Sequence, residues 1–172
     1  MKPISPKQVT AILLLSPFAL PVAALDNEVV PGSPNRMDCQ TTKPPDKPFV
    51  PPSPFPSRPD NDRFYFGTKE LWTAPFRNWT RKGRKEDRGY AVKLPWFSTD
   101  INDEDTRSAR LLIRGRRLDG AAPALIVDRP NVGVLPEYKF FTSTLIFPTG
   151  GCWEITSTHN DTQITLVVLI DE

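Results

Sequence analysis

The chain is poor in the residues that most site chemistry needs. One histidine, two cysteines and two methionines occur in 172 residues. A lone imidazole, His159, excludes any centre built on several histidines, and Cys39 and Cys152 lie too far apart to form a C-x-x-C motif. A zinc site needs more ligands than these supply. No G-x-G-x-x-G, P-loop or G-x-S-x-G elbow is present, which removes the common nucleotide-binding and α/β-hydrolase signatures. Sustained apolar patterning at a 3.6-residue period is missing too, so no long amphipathic helix is expected. Neither a metal nor a cofactor is expected, and no internal repeat occurs.

What is present begins with an export signal. Lys2 and Lys7 mark a basic start without acids, an apolar run follows from Val9 to Leu25, and Val22-Ala23-Ala24 offers small residues where a signal peptidase reads. Residues 1–24 are therefore expected to be a signal peptide cleaved after Ala24. The run is short for a spanning helix and is broken by Pro17 and Pro21, so no stable membrane insertion is expected after cleavage. Lysine plus arginine number 22 against 20 for aspartate plus glutamate. Cleavage removes Lys2 and Lys7 and no acid, leaving 20 against 20. A balanced chain has no bulk attraction for nucleic acid, and none is expected as a partner.

Residues 25–62 read as a proline-rich extended arm or linker. Ten of the 20 prolines fall between residues 26 and 62, most densely in PPDKPFVPPSPFPSRP, Pro44 to Pro59. Proline fixes φ and removes a donor, so this stretch is neither an interior helix nor a central strand; polyproline II is its expected geometry. Phe49, Val50 and Phe55 leave two readings open, a solvated spacer or an arm lying against the domain.

Residues 63–172 read as strands. Short β-branched and aromatic runs, separated by Gly, Pro, Asn and Asp, occupy Arg63–Gly67, Leu71–Phe76, Tyr90–Phe97, Arg110–Leu118, Ala124–Asp128, Lys139–Phe147, Cys152–Thr158 and Gln163–Ile170. Such runs are strand signals, and about seven or eight of them point to an all-β antiparallel sandwich. The last two runs form a hairpin whose turn is HNDT, His159 to Thr162, which makes His159 a solvated turn residue. In the final run Ile164, Leu166, Val168 and Ile170 share one face, while Val167 and Leu169 occupy the other. A strand apolar on both faces is expected inside a sheet. In the RLLIRGRRL run, Arg114, Arg116 and Arg117 are expected to point outward, with Leu112 and Leu118 facing the core.

The order of certain stretches is similar to that in a group of uncharacterised secreted bacterial proteins with an immunoglobulin-like domain. They are CQTTKPP from Cys39 running into PFVPPSPFP, then FYFGTKELWTA from Phe64, RGRRLDGAAPAL from Arg114, and FPTGGCWEIT from Phe147. The group carries no established activity. The resemblance implies export, a β-sandwich and a cysteine pair, and it implies no catalytic residue. It does not extend to antibody domains, whose cysteines pair across the sheets around a tryptophan on a separate strand; here Trp153 adjoins Cys152 and Cys39 precedes the strands.

An exported chain with an even cysteine count normally bridges its cysteines. A Cys39–Cys152 disulfide would tie the arm to the start of the penultimate strand. Three other groups are candidate sites. His159 would be the base of a hydrolase, but no nucleophile motif accompanies it. Asp100, Asp103, Glu104 and Asp105, in STDINDEDT, are oxygen-rich enough to suggest calcium; the EF-hand pattern fails, and a solvated acidic loop is the default. RNWTRKGRKEDR carries Arg77, Arg81, Lys82, Arg84 and Lys85 around Trp79, a basic aromatic loop suited to cell-wall or lipopolysaccharide phosphates, or simply an exposed hairpin loop. The expected protein is a non-catalytic exported module that binds or braces an envelope protein or polymer.

Overall fold

Alternation along the strands decides which side chains meet. In Lys139–Phe147, Phe141, Ser143, Leu145 and Phe147 are buried on one face, the two-residue period of a strand with one side on the core. The computed structural model describes residues 38–60, 62–79, 84–107 and 109–171, with backbone alone at 84–86 and 106–107. The expected signal peptide, residues 1–24, and the arm up to residue 37 lie outside the described residues.

The described strands are β1 (Phe66–Gly67), β2 (Trp72–Thr73), β3 (Arg84–Glu86), β4 (Gly89–Phe97), β5 (Leu112–Arg117), β6 (Ile126–Val127), β7 (Asn131–Val134), β8 (Lys139–Phe147), β9 (Gly151–His159) and β10 (Thr162–Ile170), with one short helix, α1 (Asp103–Arg107). They form a larger sheet in the order β1-β2-β4-β8-β6, with β3 also on β4 and β7 also on β8, and a smaller sheet in the order β10-β9-β5. Every pairing is antiparallel. The order β2-β4-β8-β6 opposite β5-β9-β10 matches the four-plus-three arrangement of a constant-type immunoglobulin sandwich.

The core lies between the sheets. Val92, Leu94 and Trp96 of β4 and Phe141, Leu145 and Phe147 of β8 meet Trp153 and Ile155 of β9 and Ile164, Leu166, Val168 and Ile170 of β10. Phe147 and Trp153 cross edge to face at 5.6 Å, a favoured aromatic geometry. The Trp153 indole N–H donates to the Thr149 carbonyl at 3.1 Å, which satisfies its one polar atom.

A second apolar cluster sits apart from this core and includes Tyr65, Trp72, Ala74 and Phe97. Trp72 and Phe97 are register partners and stack at 5.7 Å. The arm covers them. Phe55 stands edge-on to Trp72 at 4.7 Å and Phe49 lies 5.7 Å from the same ring, and Trp72 is left with no exposed surface. The described arm is thus a packed layer of the fold, and its phenylalanines are the reason.

Several sequence expectations need correction. The final strand, β10, is at the edge of its sheet. Its second apolar face exists because the arm reaches it: Leu169 is the register partner of Cys152, to which Cys39 is bonded. Leu112 is 50% exposed while Ile113 is 6% exposed, so the register of β5 is one residue off from that expected. Arg114 and Arg116 share the outward face with Leu112 and Arg117 turns toward the core side. β3 and β7 are not expected as strands; β7 is only four residues long and is interrupted by Gly133, and β3 falls within a charged run.

Candidate functional site

The disulfide is present. Cys39 and Cys152 are joined across a sequence separation of 113 residues, with Cα atoms 5.6 Å apart. Around Cys152 the GRRLDG and TGGCWE stretches knot together. Arg117 Nε donates to Asp119 at 2.6 Å and its Nη1 donates to the Thr149 hydroxyl at 3.2 Å. The Leu118 N–H donates to the Cys152 carbonyl at 2.7 Å. Burial pushes the Asp119 carboxyl up, but the Arg117 bond, the Cys152 N–H and the Arg117 charge outweigh it and hold the carboxyl below its ordinary value. Gly151 has φ 124°, and a Cβ there would lie 2.5 Å from Arg117 Nε. That positive φ is a conformation side-chain-bearing residues rarely adopt, so glycine suits the position. Arg116 pairs with Glu154 at 2.7 Å. The GRRLDG and TGGCWE residues named here therefore serve a structural knot.

His159 is not a solvated turn residue. It ends β9 at 2% exposure, with its ring 4.9 Å from that of Phe141; the turn proper is Asn160-Asp161, with Asn160 at φ 49°. Asparagine tolerates that left-handed conformation, so the turn is one residue shorter at each end than the polar run suggests, with His159 and Thr162 paired. Burial lowers the imidazole pKa most; the Asp105 charge opposes and the Arg110 charge assists. Among the described residues, no hydrogen-bond partner within geometric limits reaches buried His159 Nδ1 or the buried Ser157 hydroxyl.

The acidic stretch is exposed at Asp100, Asp103 and Glu104, as a solvated segment would be, but it forms a short helix and buries Asp105. Asn102 caps α1: its side-chain oxygen accepts the Glu104 N–H at 2.9 Å and the Asp105 N–H at 3.3 Å, and its own N–H donates to the Asp105 carboxylate at 3.1 Å. This reciprocal pattern is that of a capping box. Asp105 is buried and receives Arg110 Nε at 2.9 Å. Burial would raise its pKa, but the Arg110 hydrogen bond, the Asn102 N–H and the Arg110 charge together lower it. Asp103 pairs with Lys139 at 2.6 Å. Among the described residues no group of three His, Cys, Asp or Glu side chains is placed to hold a metal ion.

Of the residues expected to form a basic aromatic loop, only Arg77 and Trp79 have described side chains. Trp79 is 5% exposed and packs edge to face on Phe76 and Phe147. Its indole belongs to the core, where a ring of that size is worth more than on the surface. Arg81 and Lys82 lie outside the described residues. Arg84 and Lys85 belong to β3 by their backbone, and their side chains lie outside the description.

Arg77 is exposed and lines a cleft of roughly 390 Å³ between the arm and the β1 segment. Arg58, Asp60, Arg63, Phe49 and Tyr65 line it with Arg77. Arg63 is held in place: its Nη1 donates to the Ala74 carbonyl at 2.5 Å and its guanidinium lies 3.8 Å over the Phe76 ring. The Tyr65 hydroxyl is pushed up to about 12 by burial, with Tyr138 and the Asp60 charge adding to it, so it is a neutral donor at any ordinary pH. A second groove of roughly 430 Å³, beyond Phe49, is bordered by Lys47, Thr68, Gln163 and Thr165. Sequence reasoning placed Arg77 in a loop with Trp79 and did not join it to Arg58 and Asp60. The signal that would have found them is the phenylalanine pair, because an arm that packs on the domain brings its own charges with it.

No protein family, no curated protein and no solved structure matches this chain. Its function is therefore read from the geometry.

Proposed function

We propose that the chain is an exported, non-catalytic β-sandwich module that binds or braces a component of the bacterial envelope. The observation that carries this reading is the Cys39–Cys152 disulfide clamping a packed proline-rich arm. Disulfides of this kind persist in oxidising compartments, and residues 1–24 have the make-up of a signal peptide. Among the described residues no helix is long and apolar enough to cross a membrane. Nothing favours the hydrolase reading, since the sole imidazole is buried against Phe141 rather than presented to a substrate.

The test is cell fractionation of the full-length protein with intact-mass analysis. A periplasmic or secreted product beginning at Leu25, with its two cysteines linked, is the expected result. A cytoplasmic product that keeps its first residues and two free thiols would reject the proposal.

A further inference from the structure

The cleft between the arm and the β1 segment has a chemistry that the module's fold does not use. Arg58 and Arg77 both line it, both are exposed, and neither has an ion-pair or side-chain hydrogen-bond partner among the described residues. Arg63, beside them, is fixed by the Ala74 carbonyl and the Phe76 ring. Three guanidinium groups on one concavity are a recognition feature for carboxylate or phosphate, since each presents a planar fork of donors. A bare anion is not the best fit, because Asp60 lies in the same wall. A carboxylate there accepts hydroxyl protons, and the neutral Tyr65 hydroxyl offers a donor. Apart from Ser57, the rest of the lining is apolar: prolines of the arm, Phe49 and Phe64. Apolar and aromatic walls with a few convergent polar groups are the usual make-up of a small-ligand site, whose volume runs from about 300 to 1,000 Å³.

We propose that this cleft binds an acidic saccharide, a sugar unit bearing a carboxylate or phosphate group. This rests on the envelope reading above and gives that reading its ligand. The negative group sits on Arg58 and Arg77, the sugar hydroxyls on Asp60 and Tyr65, and the C–H face of the ring against the proline and phenylalanine wall. The arm is then both the lid of the sandwich and one wall of the site.

The test uses the mature chain, beginning at Leu25, and calorimetric titration at an ionic strength of about 0.15 M, where exposed charges are screened. The probes are a galacturonic acid oligomer, a phosphorylated glucose oligomer and a neutral glucose oligomer of matching length. At least one acidic probe is expected to bind, and the neutral one about tenfold more weakly or not at all. Carboxylate and phosphate arms separate the two sources of the charge, and binding of either supports the site. The Arg58→Ala/Arg77→Ala variant should weaken binding at least about tenfold, as the loss of two charge-assisted contacts demands. Lys93→Ala/Arg114→Ala removes two exposed cations that do not line the cleft and should change it less than about twofold, because screened surface charge contributes little. Asp60→Asn should weaken the acidic saccharide while leaving inorganic phosphate unchanged or tighter. Melting midpoints close to the parent show that each variant is folded. Equal loss in both double variants, equal binding of the neutral probe, or no binding of either acidic probe by the parent chain would overturn the proposal. Those failures leave the fractionation result standing; a cytoplasmic location with binding intact would instead reject the envelope reading alone.

Discussion

Thr42 and Val167 exchange two hydrogen bonds: the Thr42 N–H donates to the Val167 carbonyl at 2.8 Å, and the Val167 N–H donates to the Thr42 hydroxyl at 2.8 Å. Val167 lies on the edge strand β10, whose outward N–H and C=O groups would otherwise be open to pairing with another chain. A threonine three residues beyond Cys39 imitates one step of a missing strand. The disulfide and this bridge act on neighbouring points of one strand pair, since Cys152 is the register partner of Leu169. Together they hold the beginning of the arm against the smaller sheet, while Phe49 and Phe55 hold its later part against Trp72.

Reduction should therefore loosen the domain globally. A closed loop of this length restricts the unfolded chain by roughly 4–5 kcal/mol in the chain-entropy account. Urea unfolding of the Cys39→Ser/Cys152→Ser variant is expected to lose stability of that order, and Thr42→Val about 1 kcal/mol from the unpaired Val167 N–H. Identical midpoints for oxidised and reduced protein would contradict the clamp.

Phe55→Ala should uncover Trp72. The phenylalanine is half-buried, so its removal costs roughly 1–2 kcal/mol. The more direct reading is acrylamide quenching of tryptophan fluorescence, which should rise as Trp72 gains solvent. Val50→Ala is the comparison: Val50 is 61% exposed, and the change should stay within about 0.5 kcal/mol. Equal quenching in parent and Phe55→Ala protein would place the arm elsewhere.

The strands that were legible in sequence are those whose faces differ. In β8 the expected span, Lys139–Phe147, is the observed one, because hydrophobic alternation and flanking turn residues agree there. Where the two faces of a strand are alike, alternation carries no register. RLLIRGRRL offers a leucine at 111 and at 112, and only the packing of Leu111 and Ile113 into the core decides between them. The edge position of β10 was hidden for the opposite reason, since the arm supplies the second apolar contact and that contact is more than a hundred residues away in sequence. The candidate site was half legible. Arg77 stands out in sequence as a basic residue; Arg58 and Asp60 belong to the arm, for which the sequence leaves a spacer and a packed layer both open, and only the packing of the arm joins them to Arg77. Trp79 and His159 misled for a shared reason. Each sits in a polar stretch, and a local reading assigns such residues to water, whereas the side chain goes to the core that its neighbours leave open.

Val168 and Leu112 test that distinction directly. Val168 is fully buried between the sheets and Leu112 is 50% exposed. Val168→Asp places an unpaired carboxylate in the core at a cost of several kcal/mol, enough to abolish soluble expression of a domain of ordinary stability. Leu112→Asp should express normally and change stability by no more than about 0.5 kcal/mol. Soluble, cooperatively melting Val168→Asp protein would show that β10 faces the other way.

Titration of His159 is the sharpest check on the interior, because one histidine in the chain means one imidazole to observe by NMR. Burial holds this ring below its ordinary value; the Arg110 charge works in the same direction, and Asp105 and Asp100 work against it. The unfolded chain takes up the proton near pH 6.5, while the folded chain resists it until lower pH. Between those points the unfolded state binds more protons, so stability rises with pH across the interval. It is full above about pH 6.5 and drains away as pH falls through that value toward the folded pKa. A second loss follows at lower pH, below about 3.8, as Asp105 is protonated and its bond to Arg110 weakens. His159→Leu should remove the first loss and keep the second, since it deletes the imidazole and leaves the Asp105–Arg110 pair. Asp105→Asn should drive the imidazole lower still, because the carboxylate that favours its charged form is gone. A ring that titrates at or above pH 6.5 in the parent protein would mean that His159 is solvated, and the packing of β9 against Phe141 would have to be redrawn.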